Sequence, residues 1–221
     1  MKFNENWSLK LVGTLVIIFI LQKVFPIITE LFVLKSGDIF TRPWILLTSI
    51  FLHGGLVHLL FNGFALALFG SILENIIGSK RFLFVYFLGG FIASIVFVLG
   101  LPFLKLVGMP SSGNALGASG AIFAALGCLT VLRPNMRVWV SYMPMPMWVA
   151  AIVWAGQDLF GIFVPDNVAN FAHLGGLIFG VLVGFAYRNK GIKTIKKKRK
   201  KDDLMLSDKE IEEWENSNFR V

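Results

Sequence analysis

Charged residues and cysteine are both scarce in this chain. Only 15% of the 221 residues are charged and 56% are hydrophobic, and a soluble core of this size cannot bury so much apolar surface. The one cysteine, Cys128, excludes an internal disulfide bond. Histidine is also rare, with three residues in the whole chain, so the position of each one is informative.

Apolar segments of membrane-spanning length, by contrast, are abundant. They predict an all-α polytopic membrane protein with six transmembrane helices. The fourth segment is shorter than the roughly 20 residues of a full crossing, so its helix should begin part-way down, below irregular backbone that protein or a water-filled cavity surrounds. The predicted spans cover residues 8–34, 55–76, 81–104, 119–133, 146–163 and 168–187.

The distribution of basic residues predicts two regions and an orientation. Residues 1–190 form the predicted six-helix membrane domain, and residues 191–221 form a cytoplasmic tail that is first basic and then acidic. Leaving out residues 188–221 and Lys23 within the first span, six Lys and Arg residues lie on the predicted inner side and three on the outer side. Both termini are therefore expected in the cytoplasm.

The basic run at residues 196–201 is expected to contact anionic lipid. Nucleic-acid binding is not expected, because no folded domain accompanies the run. The first apolar segment is too long for the core of a cleavable signal and is expected to remain as an anchor. Six spans without a transit peptide favour a prokaryotic plasma membrane.

Ionisable side chains are costly at membrane depth, which makes the histidines candidates for function. His58 and Asn62 are four residues apart and share one face of a helix, where both could donate hydrogen bonds toward one point. His53 is expected above that helix, because two glycines intervene. The alternative is that His58 and Asn62 only join helices by hydrogen bonds.

Ser119 opens the short fourth span and is the candidate nucleophile. At the start of a helix, free backbone N–H groups and the positive end of the dipole favour a developing anion. The same residue could therefore supply the attacking oxygen and an amide donor. His173, in the sixth span, is the candidate base for the serine proton. The alternative is a packing serine and a glycine zipper with an incidental histidine.

Small residues accompany both candidates at helical spacing. Two such faces let helix backbones approach closely, which would bring the serine oxygen within hydrogen-bonding range of the imidazole. These residues are Gly176, Gly180 and Gly184 after His173, and Gly120, Ala124 and Gly127 beside Ser119.

No acidic residue is obviously placed to orient His173. Asp158 and Asp166 lie near the outer end of the fifth span and its connection, so a Ser–His dyad is predicted. Zinc binding is disfavoured because the chain has no His-Glu-x-x-His motif and no carboxylate near His58 to act as a base. No metal or other cofactor is therefore predicted.

Together the motifs resemble those of the rhomboid family of intramembrane serine proteases. The resemblance covers residues of about 8 to 187 and implies a rhomboid-like bundle around the short central fourth helix. The motifs are His53-x4-His58-x3-Asn62 in the second span, Gly117-x-Ser119-Gly120 opening the fourth, and Ala172-His173-x-x-Gly176-x-x-x-Gly180 in the sixth.

By this resemblance, Ser119 is the nucleophile and His173 the general base and acid. His58 and Asn62, with the Ser119 amide, stabilise the oxyanion, and His53 has a more structural role. The implied reaction is hydrolysis of peptide bonds in or near transmembrane segments of single-pass membrane proteins, through an acyl-enzyme. Such substrates typically have small residues at the cut.

Phe123 departs from the family pattern, because many relatives carry a tyrosine there that stacks on the catalytic histidine. Stacking is expected without the hydroxyl contact. Two other functions stay open: an inactive relative that binds transmembrane segments, and a transporter or channel. A transporter is disfavoured because the sequence has no internal repeat.

Overall fold

The computed structural model describes residues 5–108, 113–140, 142–164 and 169–189. The predicted tail, residues 191–221, and Asp166 lie outside the described residues. The helices are α1 (Trp7–Val24), α2 (Ile27–Phe32), α3 (Ile45–Thr48), α4 (Leu56–Ala65), α5 (Ser71–Ile77), α6 (Ser79–Leu106), α7 (Ser119–Leu132), α8 (Met147–Gly161) and α9 (Asn170–Asn189).

Short elements connect these helices. A π-helical turn, Leu66–Gly70, joins α4 to α5, and 3₁₀ turns lie at Ser36–Asp38 and Ser49–Phe51. Two antiparallel strand pairs complete the described structure: β1 (Leu34–Lys35) with β2 (Asn114–Ala115), and β3 (Arg137–Val140) with β4 (Met143–Pro146).

Four of the described helices are long and apolar enough to cross a bilayer, counting α4 to α5 as one. They are Trp7–Val24, Leu56–Ile77, Ser79–Leu106 and Asn170–Asn189. The helix α7 has 14 residues and α8 has 15, and both are shorter than a full crossing. The predicted helical, polytopic character is confirmed, whereas the count of six spans stays a prediction.

The first predicted span is wrong in its length. The helix α1 ends at Val24, and Pro26 separates it from the short α2. Proline disfavours helical backbone at the residue before it, which explains the break at Phe25. The other five predicted spans agree with the observed helix bounds to within about two residues.

The short helix α7 is the most buried helix of the bundle, with ten of its 14 residues buried. Small residues let its neighbours approach closely. A Cβ added at Gly176 of α9 would collide with the carbonyl oxygen of Gly120, and one at Gly180 with the carbonyl oxygen of Ala124. On the α6 side, a Cβ at Gly89 would collide with the Ala124 side chain. The N-terminal turn of α7 is thus held against α9.

Glu74 ties three helices together at the end of the α4–α5 helix far from His58. Its buried carboxylate accepts hydrogen bonds from the Trp7 and Ser8 amides at 3.0 and 2.9 Å. The hydroxyls of Ser8 and Ser79 donate to it at 3.0 and 2.6 Å. These contacts satisfy N–H groups at the start of α1 that have no partner within the helix.

Candidate active site

Ser119 and His173 lie in direct contact. The Ser119 Oγ atom is 2.7 Å from Nε2 of His173, and both side chains are partly buried. Ser119 is the first residue of α7, and His173 lies in the first turns of α9. The close backbone approach at Gly120 and Gly176 brings these helix ends together. The distance allows direct proton transfer between the two side chains.

Phe123 covers one face of the His173 ring. The ring centroids are 4.4 Å apart and the planes differ by 7°, which is a stacked arrangement. Phe123 lies one turn after Ser119 on α7, so the same helix provides the hydroxyl and the surface under the imidazole. The stack restricts the plane of the ring while leaving both ring nitrogens free to form hydrogen bonds.

The sequence showed no acidic residue obviously placed to orient His173, but the structure brings one into contact with it. The Asp158 Oδ1 atom lies 2.8 Å from Nδ1 of His173, on the side of the ring opposite Ser119. The Asp158 side chain is buried. Its second oxygen, Oδ2, has no hydrogen-bond partner among the described residues.

Two features of the sequence could have identified Asp158. It lies in an apolar helix, where an ionisable residue is a candidate for function just as the histidines are. It is also three residues before the end of α8, and His173 is three residues after the start of α9. Because α8 and α9 are consecutive and pack together, residues at equal distance from their connection meet.

His58 and Asn62 border the turn that leads into Ser119. Gly117 in this turn has a φ of +129°, a conformation that favours glycine. A Cβ there would lie 2.7 Å from Cε1 of His58 and 3.9 Å from Nδ2 of Asn62. The Asn62 side chain is buried and donates to the His58 carbonyl oxygen at 3.0 Å. Both polar side chains therefore lie beside the backbone that carries the serine.

His53 supports this arrangement from behind. Its ring is buried and packs edge-on against the His58 ring, with 5.1 Å between centroids. Its backbone N–H donates to Oε1 of Gln22 at 3.0 Å, and Nε2 of Gln22 donates to the Thr29 hydroxyl at 3.0 Å. These contacts connect the segment before α4 to α1 and α2.

A small cavity of about 30 Å³ adjoins Ser119. This volume is enough for one water molecule. Its lining consists largely of residues with little or no side chain, among them Gly90, Ala93, Gly117, Gly120 and Ala172. The space beside the serine therefore admits only a small group.

Comparison with known proteins identifies a common family. The rhomboid domain model matches residues 41–190, more than half of the 221-residue chain. "Rhomboid protein 1, mitochondrial" of Saccharomyces cerevisiae is 32% identical over 171 residues, covering 76% of this chain and 48% of the relative. "Rhomboid protease GluP" of Bacillus subtilis is 38% identical over 144 residues, or 65% of this chain and 26% of the relative.

A plant protein shows the same degree of similarity. "RHOMBOID-like protein 4" of Arabidopsis thaliana is 36% identical over 150 residues, which is 68% of this chain and 34% of the relative. The chain therefore spans about half or less of the length of these three relatives.

Proposed function

The chain belongs to the rhomboid family, and we propose that it is an intramembrane serine endopeptidase that acts through Ser119 and His173. The apolar helices and the family match make it a multi-pass membrane protein. The observation that carries the assignment is the 2.7 Å contact between Ser119 Oγ and His173 Nε2. A serine hydroxyl is a weak nucleophile, and an adjacent neutral imidazole is the usual means of activating it.

The reaction begins with attack of the Ser119 oxygen on the carbonyl carbon of the scissile peptide bond. Nε2 of His173 accepts the hydroxyl proton as the new carbon–oxygen bond forms. The carbonyl oxygen then carries a negative charge. The Ser119 amide at the start of α7, with His58 and Asn62, provides the hydrogen-bond donors for that charge.

Collapse of the tetrahedral intermediate breaks the carbon–nitrogen bond. The protonated His173 gives its proton to the leaving amine, and the acyl group stays on Ser119. A water molecule, deprotonated in turn by His173, hydrolyses this ester and regenerates the serine. The resemblance implies substrates with a small residue at the cut.

We assign as substrates single-pass membrane proteins cleaved in or near their transmembrane segments, as the resemblance implies. The excess of Lys and Arg in the predicted inner connections supports cytoplasmic termini. Contact between the basic run at residues 196–201 and anionic lipid is proposed on the same electrostatic grounds. A prokaryotic plasma membrane stays a prediction.

Labelling of Ser119 tests the function most directly. The protein in detergent or liposomes is treated with a fluorophosphonate, and cleavage of a type-I membrane substrate is followed in parallel. We expect labelling and cleavage in the wild type, and neither in Ser119→Ala or His173→Ala. The control is Ser71→Ala, which removes a hydroxyl bonded to Ser8 at 2.8 Å, far from the site; it should be labelled normally.

Unchanged cleavage by Ser119→Ala would exclude the assigned nucleophile. A wild-type protein that folds, is neither labelled nor active, and still binds transmembrane segments would instead be an inactive binder. That outcome would favour the alternative function over the protease.

A further inference from the structure

We propose that Asp158 is a positioning residue that holds the His173 ring in the tautomer able to accept the Ser119 proton. The inference rests on the proposed protease function and deepens it: the site would work as Ser–His–Asp rather than as a Ser–His pair. Asp158 does not contact the serine and acts only through His173.

The first argument is the placement of the two contacts on the imidazole. Ser119 Oγ lies 2.7 Å from Nε2, and Asp158 Oδ1 lies 2.8 Å from Nδ1. A neutral imidazole has one N–H donor and one acceptor nitrogen, whereas an ionised carboxylate only accepts. The proton of the neutral ring is therefore held on Nδ1. The lone pair of Nε2 then faces the serine hydroxyl, as a general base requires.

The second argument is the electrostatics of the carboxylate. Asp158 is 6% exposed, and its Oδ2 atom has no partner in the described part of the chain. A buried carboxylate with one hydrogen bond is a poor source of fold stability, because its desolvation penalty is large. The charge is useful when His173 takes the serine proton, since the carboxylate then faces an imidazolium at 2.8 Å.

The third argument is geometric restraint. Three helices each provide one member of the set: Ser119 from α7, Asp158 from α8 and His173 from α9. The stacked Phe123 ring restricts the plane of the imidazole but does not prevent a half-turn about the Cβ–Cγ bond, which would exchange Nε2 with Cε1. The Asp158 contact supplies this missing restraint, because it holds Nδ1 at one position and so directs Nε2 at the serine.

The test compares the activities of two substitutions at Asp158, because a positioning role and a packing role predict opposite orders of activity. Asp158→Asn nearly preserves shape but removes the negative charge, and its amide can turn an N–H group toward Nδ1, which favours the wrong tautomer. Asp158→Ala removes the side chain. If Asp158 positions His173, the Asn variant should be at least as impaired as the Ala variant. We expect kcat to fall on the order of 10²–10⁴-fold, with KM within about twofold of wild type.

A purely structural role predicts the opposite order, with Asn close to wild type and Ala the most impaired. Rates are expressed per folded molecule, measured by thermal unfolding in detergent. Asp158→Glu keeps the acceptor and should recover at least about tenfold of the rate lost in Asp158→Ala. The matched control is Gln157→Ala, an exposed neighbour on α8 that should cleave and label like the wild type.

The results distinguish failure of the positioning role from failure of the protease function. If the wild type is active and Ser119→Ala is inactive, but Asp158→Ala and Asp158→Asn both cleave at the wild-type rate, the positioning role is wrong and the protease function stands. If Asp158→Ala is less active than Asp158→Asn, the side chain acts by packing. If the wild type itself is neither labelled nor active, the protease function fails.

Discussion

The ring of Phe123 lies parallel to the imidazole of His173, with 4.4 Å between the centroids and 7° between the planes. Phe123 is four residues after Ser119 on α7. One helix therefore carries the proposed nucleophile and also the surface against which the proposed base rests. A shift of α7 relative to α9 would disturb both contacts at once.

Truncation of this aromatic ring should slow the reaction without abolishing it. Phe123→Ala leaves His173 unsupported on one face, and we expect kcat to fall on the order of 10–100-fold, the effect of a small misplacement of a reacting group. Phe123→Tyr retains the stack and should stay within about threefold of wild type. Steady-state cleavage of the type-I substrate measures both. Equal activity of the Ala variant and the wild type would show that the stack does not position the ring.

Removing a proposed oxyanion donor should destabilise the transition state more than it weakens substrate binding. His58→Ala and Asn62→Ala are each expected to lower kcat by roughly 10²–10³-fold, the usual cost of losing one such donor. The matched control is Asn75→Ala. Asn75 donates to the Ser71 carbonyl oxygen at 2.8 Å, just as Asn62 donates to that of His58 at 3.0 Å, but it is remote from the site.

Comparing the two asparagine variants shows whether a loss of activity comes from the missing hydrogen bond within the helix or from the missing oxyanion donor. If Asn62→Ala and Asn75→Ala both retain the wild-type kcat, Asn62 is not an oxyanion donor. If both lose activity together with thermal stability, the loss comes from the helix and not from the oxyanion.

Gly117 should tolerate no side chain. A Cβ there would meet the His58 ring at 2.7 Å, and the φ of +129° is unfavourable for other residues. We expect Gly117→Ala to lose about as much kcat as His58→Ala, because the ring must move away from the oxyanion position. Gly108→Ala also places a side chain at a positive φ, +72°, but meets no atom within 4 Å. It should cleave like the wild type, and equal losses in the two variants would contradict the proposed collision.

The small-residue faces explain why the Ser119–His173 pair could be predicted from the sequence. Glycines at steps of three and four residues define one face of a helix, and the collisions at Gly176 and Gly180 occur on that face. The bounds of α7 likewise follow from the apolar pattern. Such local periodicity is contained in the sequence itself.

Asp158 and the end of α1 could not be predicted with equal ease. The position of Asp158 in an apolar helix marks it as a candidate, but its contact with His173 depends on how two helices pack. The break at Pro26 lies within one apolar run, where composition alone gives no boundary. The sequence predicted the helical spans and the small-residue faces well, and the cross-helix polar contact poorly.

A substitution that forces α7 and α9 apart should destabilise the protein and also reduce its activity. A methyl group at Gly180 would collide with the Ala124 carbonyl oxygen, so we expect Gly180→Ala to lower the free energy of unfolding by about 1–3 kcal/mol. The control is Gly156→Ala on α8, where no atom lies within 4 Å and alanine favours the helix. Its stability should equal or exceed that of wild type. Unfolding in a detergent titration measures both, and equal stability of the two variants would contradict the tight contact.

Glu74 should contribute to stability but not to catalysis. Its carboxylate accepts hydrogen bonds from the Trp7 and Ser8 amides and from two hydroxyls. Glu74→Gln replaces one acceptor oxygen with an N–H group that faces these donors. We expect the free energy of unfolding to fall by about 1–3 kcal/mol, because buried donors lose a charged partner. The rate per folded molecule should stay at the wild-type value, since Glu74 lies at the end of its helix far from His58.

Glu30→Gln, an exposed change on α2, makes the same chemical replacement and should leave the melting temperature unaltered. A Glu74→Gln protein as stable as Glu30→Gln would show that the start of α1 does not depend on this carboxylate.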